Sequence, residues 1–265
     1  MIETDQMLIS ILDCKHIDLL TQNVKLTAEQ ELQLQEMQAR RSRNEPLQYI
    51  LGNCDFMGSM LDVDSRALIP RPETEILVEQ AIQILKNIQV ESKRIRILDL
   101  GTGSGNIPIT LAKNIHNCSV TTVDFSVEAL ELAQHNARLN NVENKIEFVN
   151  QDMRIFLDET IALYDLIISN PPYIKTSDLT QLPKDVQQEP QLALDGGEDG
   201  LDFYAHIIKK ASKLLKDRAV LLMEIGDEQR KDIERLFQQN KQYQKPLFYK
   251  DYVGVDRIVK TNKLL

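Results

Sequence analysis

Asn170, Pro171, Pro172 and Tyr173 stand in a row directly after the apolar run Leu166-Ile167-Ile168-Ser169. The run reads as a buried strand. The four residues then sit at its carboxyl end, the edge where ligands bind in open α/β sheets. Two consecutive prolines remove two backbone donors and hold φ at about −65°, so the local carbonyls stay free to accept. Asn170 adds a side-chain acceptor and Tyr173 a flat apolar face. Together these groups suit a planar –NH2: two acceptors take its hydrogens and a ring packs on its plane.

A second group of residues has nucleotide-type spacing. Gly101-Thr102-Gly103-Ser104-Gly105 follows the strand-like Ile95–Leu100 and precedes a helical stretch. Glycines there let the backbone turn tightly and approach a ligand closely. Asp99 leads into the turn, and Asp124 ends the next strand 19 residues after Gly105. An acid at that position can accept both hydroxyls of a ribose. Asp152 and Met153 lie just beyond the third strand, where they would border an adenine ring. No Lys or Arg lies between Gly101 and Gly105, and the Lys-Ser/Thr that closes a phosphate-binding loop is absent. An acid beside the ligand favours a cationic amino group over a phosphate. The expected cofactor is therefore S-adenosyl-L-methionine, with its α-amino group and sulfonium, rather than a nucleotide polyphosphate.

The elements that must hold these groups alternate. Strands are expected at 95–100, 120–124, 146–149, 166–169 and 219–225. Helices are expected at 107–115, 127–139, 203–215 and 227–239, and two closing strands between 247 and 260. Such alternation implies a mostly parallel sheet with helices on both faces. Upstream, residues 1–45 read as helical, with capping-box spacing at Thr27–Gln30. Gly52, Gly58 and alternating apolar residues suggest a short hairpin within 45–68. Pro70 and Pro72 bracket Arg71 in a stiff connector, with Arg71 expected to clamp the linker or a carboxylate. A helix follows over 74–87. Gly196–Gly200 reads as a glycine-rich loop, Phe203 and Tyr204 as core, and the four histidines as surface residues.

The 265 residues are 42% apolar and 27% charged, an ordinary globular balance. No stretch approaches the roughly 18 apolar residues that span a bilayer, and the acidic start is no signal peptide. Three scattered cysteines offer neither a disulfide framework nor a metal site, and no metal is expected. These features point to the cytoplasm and away from any membrane. A net charge of −9 argues against binding nucleic acid through its phosphates. The basic run Arg40-Arg41-Ser42-Arg43 is explained as a helix end, where cations oppose the dipole.

The chain resembles class I S-adenosylmethionine-dependent methyltransferases in its strand, glycine turn and acid. In Asn-Pro-Pro-Tyr it is similar to the members that act on planar amino or amide nitrogens. Further stretches resemble one branch, the release-factor glutamine N5-methyltransferases: Glu45–Gly52, Leu68–Glu75, Asp99–Gly105, Ser169–Ile174, Glu189-Pro190 with Ala193-Leu194, Gly196–Leu201, and Glu224–Gly226. The resemblance covers roughly residues 5–260. It implies an α/β fold with a Rossmann-like, mostly parallel seven-stranded sheet, a small N-terminal helical domain (1–45) for substrate docking, a hairpin linker (46–72) and a methyltransferase domain (73–265). The N-terminal stretch is about one helix shorter than the resemblance implies.

The implied substrate is the glutamine of the Gly-Gly-Gln motif in peptide chain release factors, methylated at its side-chain nitrogen by a monomer. Resemblance and local chemistry agree that the Asn170 side-chain oxygen and the Pro171 carbonyl accept the amide hydrogens while Tyr173 packs on the amide plane. Pro172 and Glu189 join Asn170, Pro171 and Tyr173 as expected substrate-binding residues, and Asn170 also borders the cofactor. Three alternatives remain: a ribosomal-protein glutamine, an amino group of a nucleic acid, or a cofactor-binding module without activity. A nucleic-acid enzyme would carry a basic face, and an inactive module would have lost the intact Asn170–Tyr173 motif.

Overall fold

The computed structural model describes residues 2–21, 25–88 and 94–264. Residues 1 and 22–24 of the N-terminal helical stretch lie outside the described residues. Helices α1 (Glu3–Leu12), α2 (His16–Thr21) and α3 (Ala28–Ser42) open the chain. α3 begins at the capping box: Thr27 Oγ1 accepts from the Gln30 amide while Gln30 Oε1 accepts from the Thr27 amide. It ends in Arg40 and Arg41, which pair with Glu45 and with Glu3 and Asp185. A short helix α4 (Leu47–Leu51), not anticipated from the sequence, follows. Its Leu47 and Ile50 pack with Met7 and Met37. The helical unit therefore runs on to Leu51 rather than stopping at residue 45.

Strands β1 (Asn53–Phe56) and β2 (Ser59–Asp62) form the expected hairpin. Its two turn residues, Met57 and Gly58, both have positive φ, 51° and 74°, as a tight turn matching strand twist requires. Besides Phe56 and Leu61, which pack into the main core, and surface bonds from Lys113, His135 and Asn140, one buried side chain ties the hairpin to the main domain. Asn136 Oδ1 accepts from the Asp62 amide, and Asn136 Nδ2 donates to the carbonyls of Asp62 and Ser104.

After α5 (Pro72–Ile88), which starts on its proline, the strands and helices alternate. They are β3 (Ile95–Leu100), α6 (Asn106–Asn114), β4 (Cys118–Asp124), α7 (Val127–Leu139), β5 (Ile146–Asn150), α8 (Met153–Glu159), β6 (Tyr164–Ser169), α9 (Asp202–Ala211), β7 (Leu215–Glu224), α10 (Arg230–Gln239), β8 (Leu247–Lys250) and β9 (Asp256–Asn262). The seven strands run in the order β5-β4-β3-β6-β7-β9-β8, with only β9 antiparallel to its neighbours. Apolar side chains of the sheet fill two cores, one on each face. Chain order departs in opposite directions from β3, toward β4 on one side and β6 on the other. The carboxyl ends of β3 and β6 are thus the crevice where such sheets bind ligands.

The boundaries that differ most from the periodicity lie between α9 and β7. The expected helix 203–215 stops at Ala211, and β7 starts at Leu215, four residues before the apolar run. The polar stretch Lys216–Arg218 is accommodated by a register shift opposite Tyr164–Leu166 and by Arg218 at φ 62°. Helix α8 was also not expected from the sequence. Its seven residues are too few for a helical period to stand out.

Candidate active site

Leu100 pairs with Ser169 across β3 and β6, which brings the glycine turn beside Asn170. A Cβ on Gly101 would stand 3.6 Å from the Asn170 carbonyl and from Met153 Cε. Ser169 Oγ donates to the Leu100 carbonyl (2.7 Å), tying the two strand ends together. Above this junction lies a cavity of about 240 Å³. Among the expected residues, Gly101, Thr102, Gly103, Ser104, Asp124, Asp152, Met153, Asn170 and Pro172 are on its wall.

Asp99, Gly105, Pro171, Tyr173 and Glu189 are not on that wall. Asp99 is fully buried behind the turn. Its Oδ2 accepts from the Thr122 hydroxyl (2.6 Å), which in turn shares a hydrogen bond with Thr102 Oγ1. Burial pushes its carboxyl up to about 8, against the Thr122 bond and aided by the Asp124 charge. Asp99 therefore props the turn from behind through Oδ2, while its Oδ1 has no partner among the described residues. Gly105 serves packing: with φ 87°, a Cβ there would lie 2.8 Å from Ile109 Cδ1 and 3.2 Å from Ala133 Cβ.

Asp124 is on the wall of the cavity. It accepts from the Gly103 and Ser126 amides, both at 2.9 Å. Burial raises its carboxyl and those amides oppose the rise. Asp152 caps α8 and pairs with Arg154, which lowers its pKa. The cavity suits a cationic, hydroxyl-bearing ligand better than a phosphate. The amides of Gly101, Thr102, Gly103 and Gly105 are already bonded within the protein. The three arginines on the wall, Arg66, Arg71 and Arg154, are each paired with a carboxylate. This donor set is chemically compatible with S-adenosylmethionine: Asp124 would accept from its hydroxyls and Met153 would offer an apolar face to its ring.

At the reactive tetrapeptide, Asn170 Nδ2 donates to Thr74 Oγ1 (3.1 Å), and the Thr74 hydroxyl donates to Glu224 Oε2 (2.7 Å). Among the described residues, neither Asn170 Oδ1 nor the Pro171 carbonyl accepts a hydrogen bond. Glu224 is buried, which lifts its carboxyl to about 7 against the Thr74 bond. Tyr173 is half-buried, and burial raises its phenol. The Gly196–Gly200 loop is a cradle for this residue: Cβ atoms on Gly196 and Gly200 would lie 2.7 Å from Tyr173 Cα and 2.5 Å from its carbonyl oxygen. Gln229 Nε2 donates to the Tyr173 and Gly200 carbonyls, both at 3.1 Å.

Glu189, expected to bind substrate, lies off the wall of this cavity. Its carboxylate accepts from the Ile69 amide (3.0 Å) and from Arg71 (2.5 Å), the clamp expected of Arg71. It lies instead on a neighbouring cavity of about 290 Å³, shared with Ile69, Arg71 and Arg41 of α3. Phe125 and Thr74, not singled out from the sequence, are on the wall of the main cavity, and Phe203 packs against the core as expected while also lining that wall. Phe125 is 63% exposed, and an aromatic directly after the acid of a strand end was its available signal.

The fold and this site define a class I methyltransferase that uses S-adenosylmethionine. Residues 2–52 match the PrmC N-terminal domain and residues 77–189 the Methyltransferase small domain. The chain is 37% identical to the release factor glutamine methyltransferase of Thermodesulfovibrio yellowstonii, over 97% of this chain and 90% of that protein. It is 39% identical to the enzyme of that name from Streptococcus pneumoniae, over 89% and 81%. A crystal structure of a methyltransferase from Pyrococcus furiosus superimposes with a TM-score of 0.56 at 17% identity, covering 90% of this chain and all of that one. The chain belongs to the release factor glutamine methyltransferase family.

Proposed function

We propose that this protein transfers a methyl group to the side-chain nitrogen (N5) of the glutamine in the Gly-Gly-Gln motif of peptide chain release factors. It does so as a cytoplasmic monomer, without contacting nucleic acid. The observation that carries the chemistry is the pair of unengaged acceptors, Asn170 Oδ1 and the Pro171 carbonyl, beside the cofactor cavity. Names of the relatives support the substrate, and the net charge of −9 speaks against a nucleic-acid substrate.

An amide nitrogen is a poor nucleophile because its lone pair is delocalised into the carbonyl. Bound S-adenosylmethionine supplies a methyl group on a sulfonium, a leaving group that needs no acid. The protein's share is orientation and fixed dipoles. Asn170 Oδ1 and the Pro171 carbonyl accept the two amide hydrogens and stabilise the positive charge that develops on nitrogen. Tyr173 packs on the amide plane, held by the glycine cradle and Gln229. Once methylated, the nitrogen would carry a positive charge and release one proton to water.

The test offers the purified protein labelled S-adenosylmethionine with a release factor, a ribosomal protein or DNA. Label on the release factor alone is expected, and Asn170→Ala should cut turnover by about 10²-fold or more while leaving cofactor binding largely intact. Label on DNA or the ribosomal protein instead would redirect the substrate. Near-normal turnover in Asn170→Ala would refute the amide clamp.

A further inference from the structure

An asparagine amide presents an acceptor at one end and a donor at the other, and the two are nearly equal in shape. A clamp that must accept two hydrogens works only if Asn170 keeps its oxygen toward the substrate. Turned the other way, its –NH2 would face the substrate's –NH2, donor against donor. Something must fix the direction, and Asn170 cannot do so alone.

The fixing group lies on another element. Thr74, in the first turn of α5, is buried, and its Oγ1 accepts from Asn170 Nδ2 at 3.1 Å. A hydroxyl could equally donate to an asparagine oxygen. It does not here, because the ionised Glu224 carboxylate at the end of β7 can only accept, and its Oε2 takes the Thr74 proton at 2.7 Å. Glu224 is buried in turn, and its backbone carbonyl accepts from Tyr204 Oη at 2.9 Å. Direction passes from carboxylate to hydroxyl to amide between β7, α5 and the residue after β6, over sequence separations of 150 and 96 residues. Resting on the amide-methylation reading above, we propose that Thr74 and Glu224 are positioning residues: Glu224 commits the Thr74 hydroxyl to donate to it, and Thr74 thereby holds Asn170 with its oxygen free for the substrate amide.

The variants are Thr74→Val, which keeps shape and removes the hydroxyl, and Thr74→Ser, which restores it. Methylation of a release factor is followed in steady state, with cofactor affinity measured separately. Thr74→Val is expected to lower kcat about tenfold, the factor that one neutral hydrogen bond commands, with KM for the release factor moved far less. Thr74→Ser recovers most of the loss. In the Asn170→Ala background Thr74→Val costs nothing further, because the group it positions is gone. The side-chain amide resonances of Asn170, followed by NMR, shift in Thr74→Val and return in Thr74→Ser without any turnover. Unchanged kcat in Thr74→Val, an equal loss in the Asn170→Ala background, or unmoved Asn170 resonances would overturn the inference. Should the parent enzyme methylate another substrate instead, the substrate reading fails. The same variants on that substrate, the NMR comparison, and Glu224→Gln, whose amide can donate to Thr74 and which should lower kcat as Thr74→Val does, then judge Thr74 and Glu224 by themselves; an unchanged kcat in Glu224→Gln would overturn the role of Glu224.

Discussion

Glu189 joins the connector at Ile69–Arg71 to the segment that follows the reactive motif, and its removal can be worked through in energy. The side chain is 2% exposed and accepts two hydrogen bonds, from the Ile69 amide at 3.0 Å and from Arg71 at 2.5 Å. In Glu189→Ala the Ile69 amide, on a residue only 4% exposed, is left buried without an acceptor. That orphaned donor costs about 1–3 kcal/mol. Arg71 is 30% exposed and can return to water, so its lost ion pair adds only about 1 kcal/mol. The sum is about 3 kcal/mol, which in a chain of this size lowers Tm by roughly 6–12 °C. Glu189→Gln keeps an acceptor for Ile69 and loses only the charge, so it should fall by about 2–4 °C. Because Ile69 and Arg71 line the main cavity, the Ala variant should also bind S-adenosylmethionine more weakly. Thermal denaturation followed by circular dichroism, with calorimetric titration of the cofactor, reads both effects. Ala and Gln variants that melt together with the parent protein would refute the clamp.

Further outcomes follow from the same geometry. Gly105→Ala forces a side chain into φ 87° and against Ile109 and Ala133; it should cost on the order of 2–4 kcal/mol by denaturant unfolding and weaken cofactor binding. Phe125→Ala, at an exposed position on the cavity wall, should leave Tm nearly unchanged yet weaken the cofactor about tenfold in a binding titration. Asp99 has its folded pKa raised from 3.8 to about 8, so the folded state holds a proton that the unfolded chain has released. Its contribution is fully present below 3.8 and is lost as pH rises through about 8. A series of urea midpoints across that window should slope downward in the parent and flatten in Asp99→Asn; equal slopes in the two proteins would contradict the buried, protonated carboxyl.

The sheet was readable because it rests on local patterns, and the two motifs could be located for the same reason. Apolar runs such as Leu166–Ile168 announce buried strands, and Gly101–Gly105 with Asp124 announces a ligand turn whatever surrounds it. The roles of Asp99 and Glu189 were not readable in the same way. Both are acids near expected binding motifs, but the structure commits one to Thr122 and the other to Ile69 and Arg71, partners set by folding rather than spacing. Asn136 is hidden for a related reason. Within an amphipathic helix it looks like any polar position, yet it joins the hairpin to the glycine turn. Thr74 likewise reads as the start of a helix, and its part in the site depends on β6 and β7 arriving beside it. The Gly196–Gly200 loop could be located but not explained until Tyr173 was seen pressed against it.

The central claim is that Asn170 and Pro171 grip a glutamine amide and no other group. Incubating the protein with a release factor and S-adenosylmethionine, then sequencing the peptides by tandem mass spectrometry, tests it most directly. The account predicts a mass gain of one CH2 on the side chain of the Gly-Gly-Gln glutamine, absent when Asn170→Ala replaces the parent. A gain on any other residue, or an equal gain with Asn170→Ala, would contradict it.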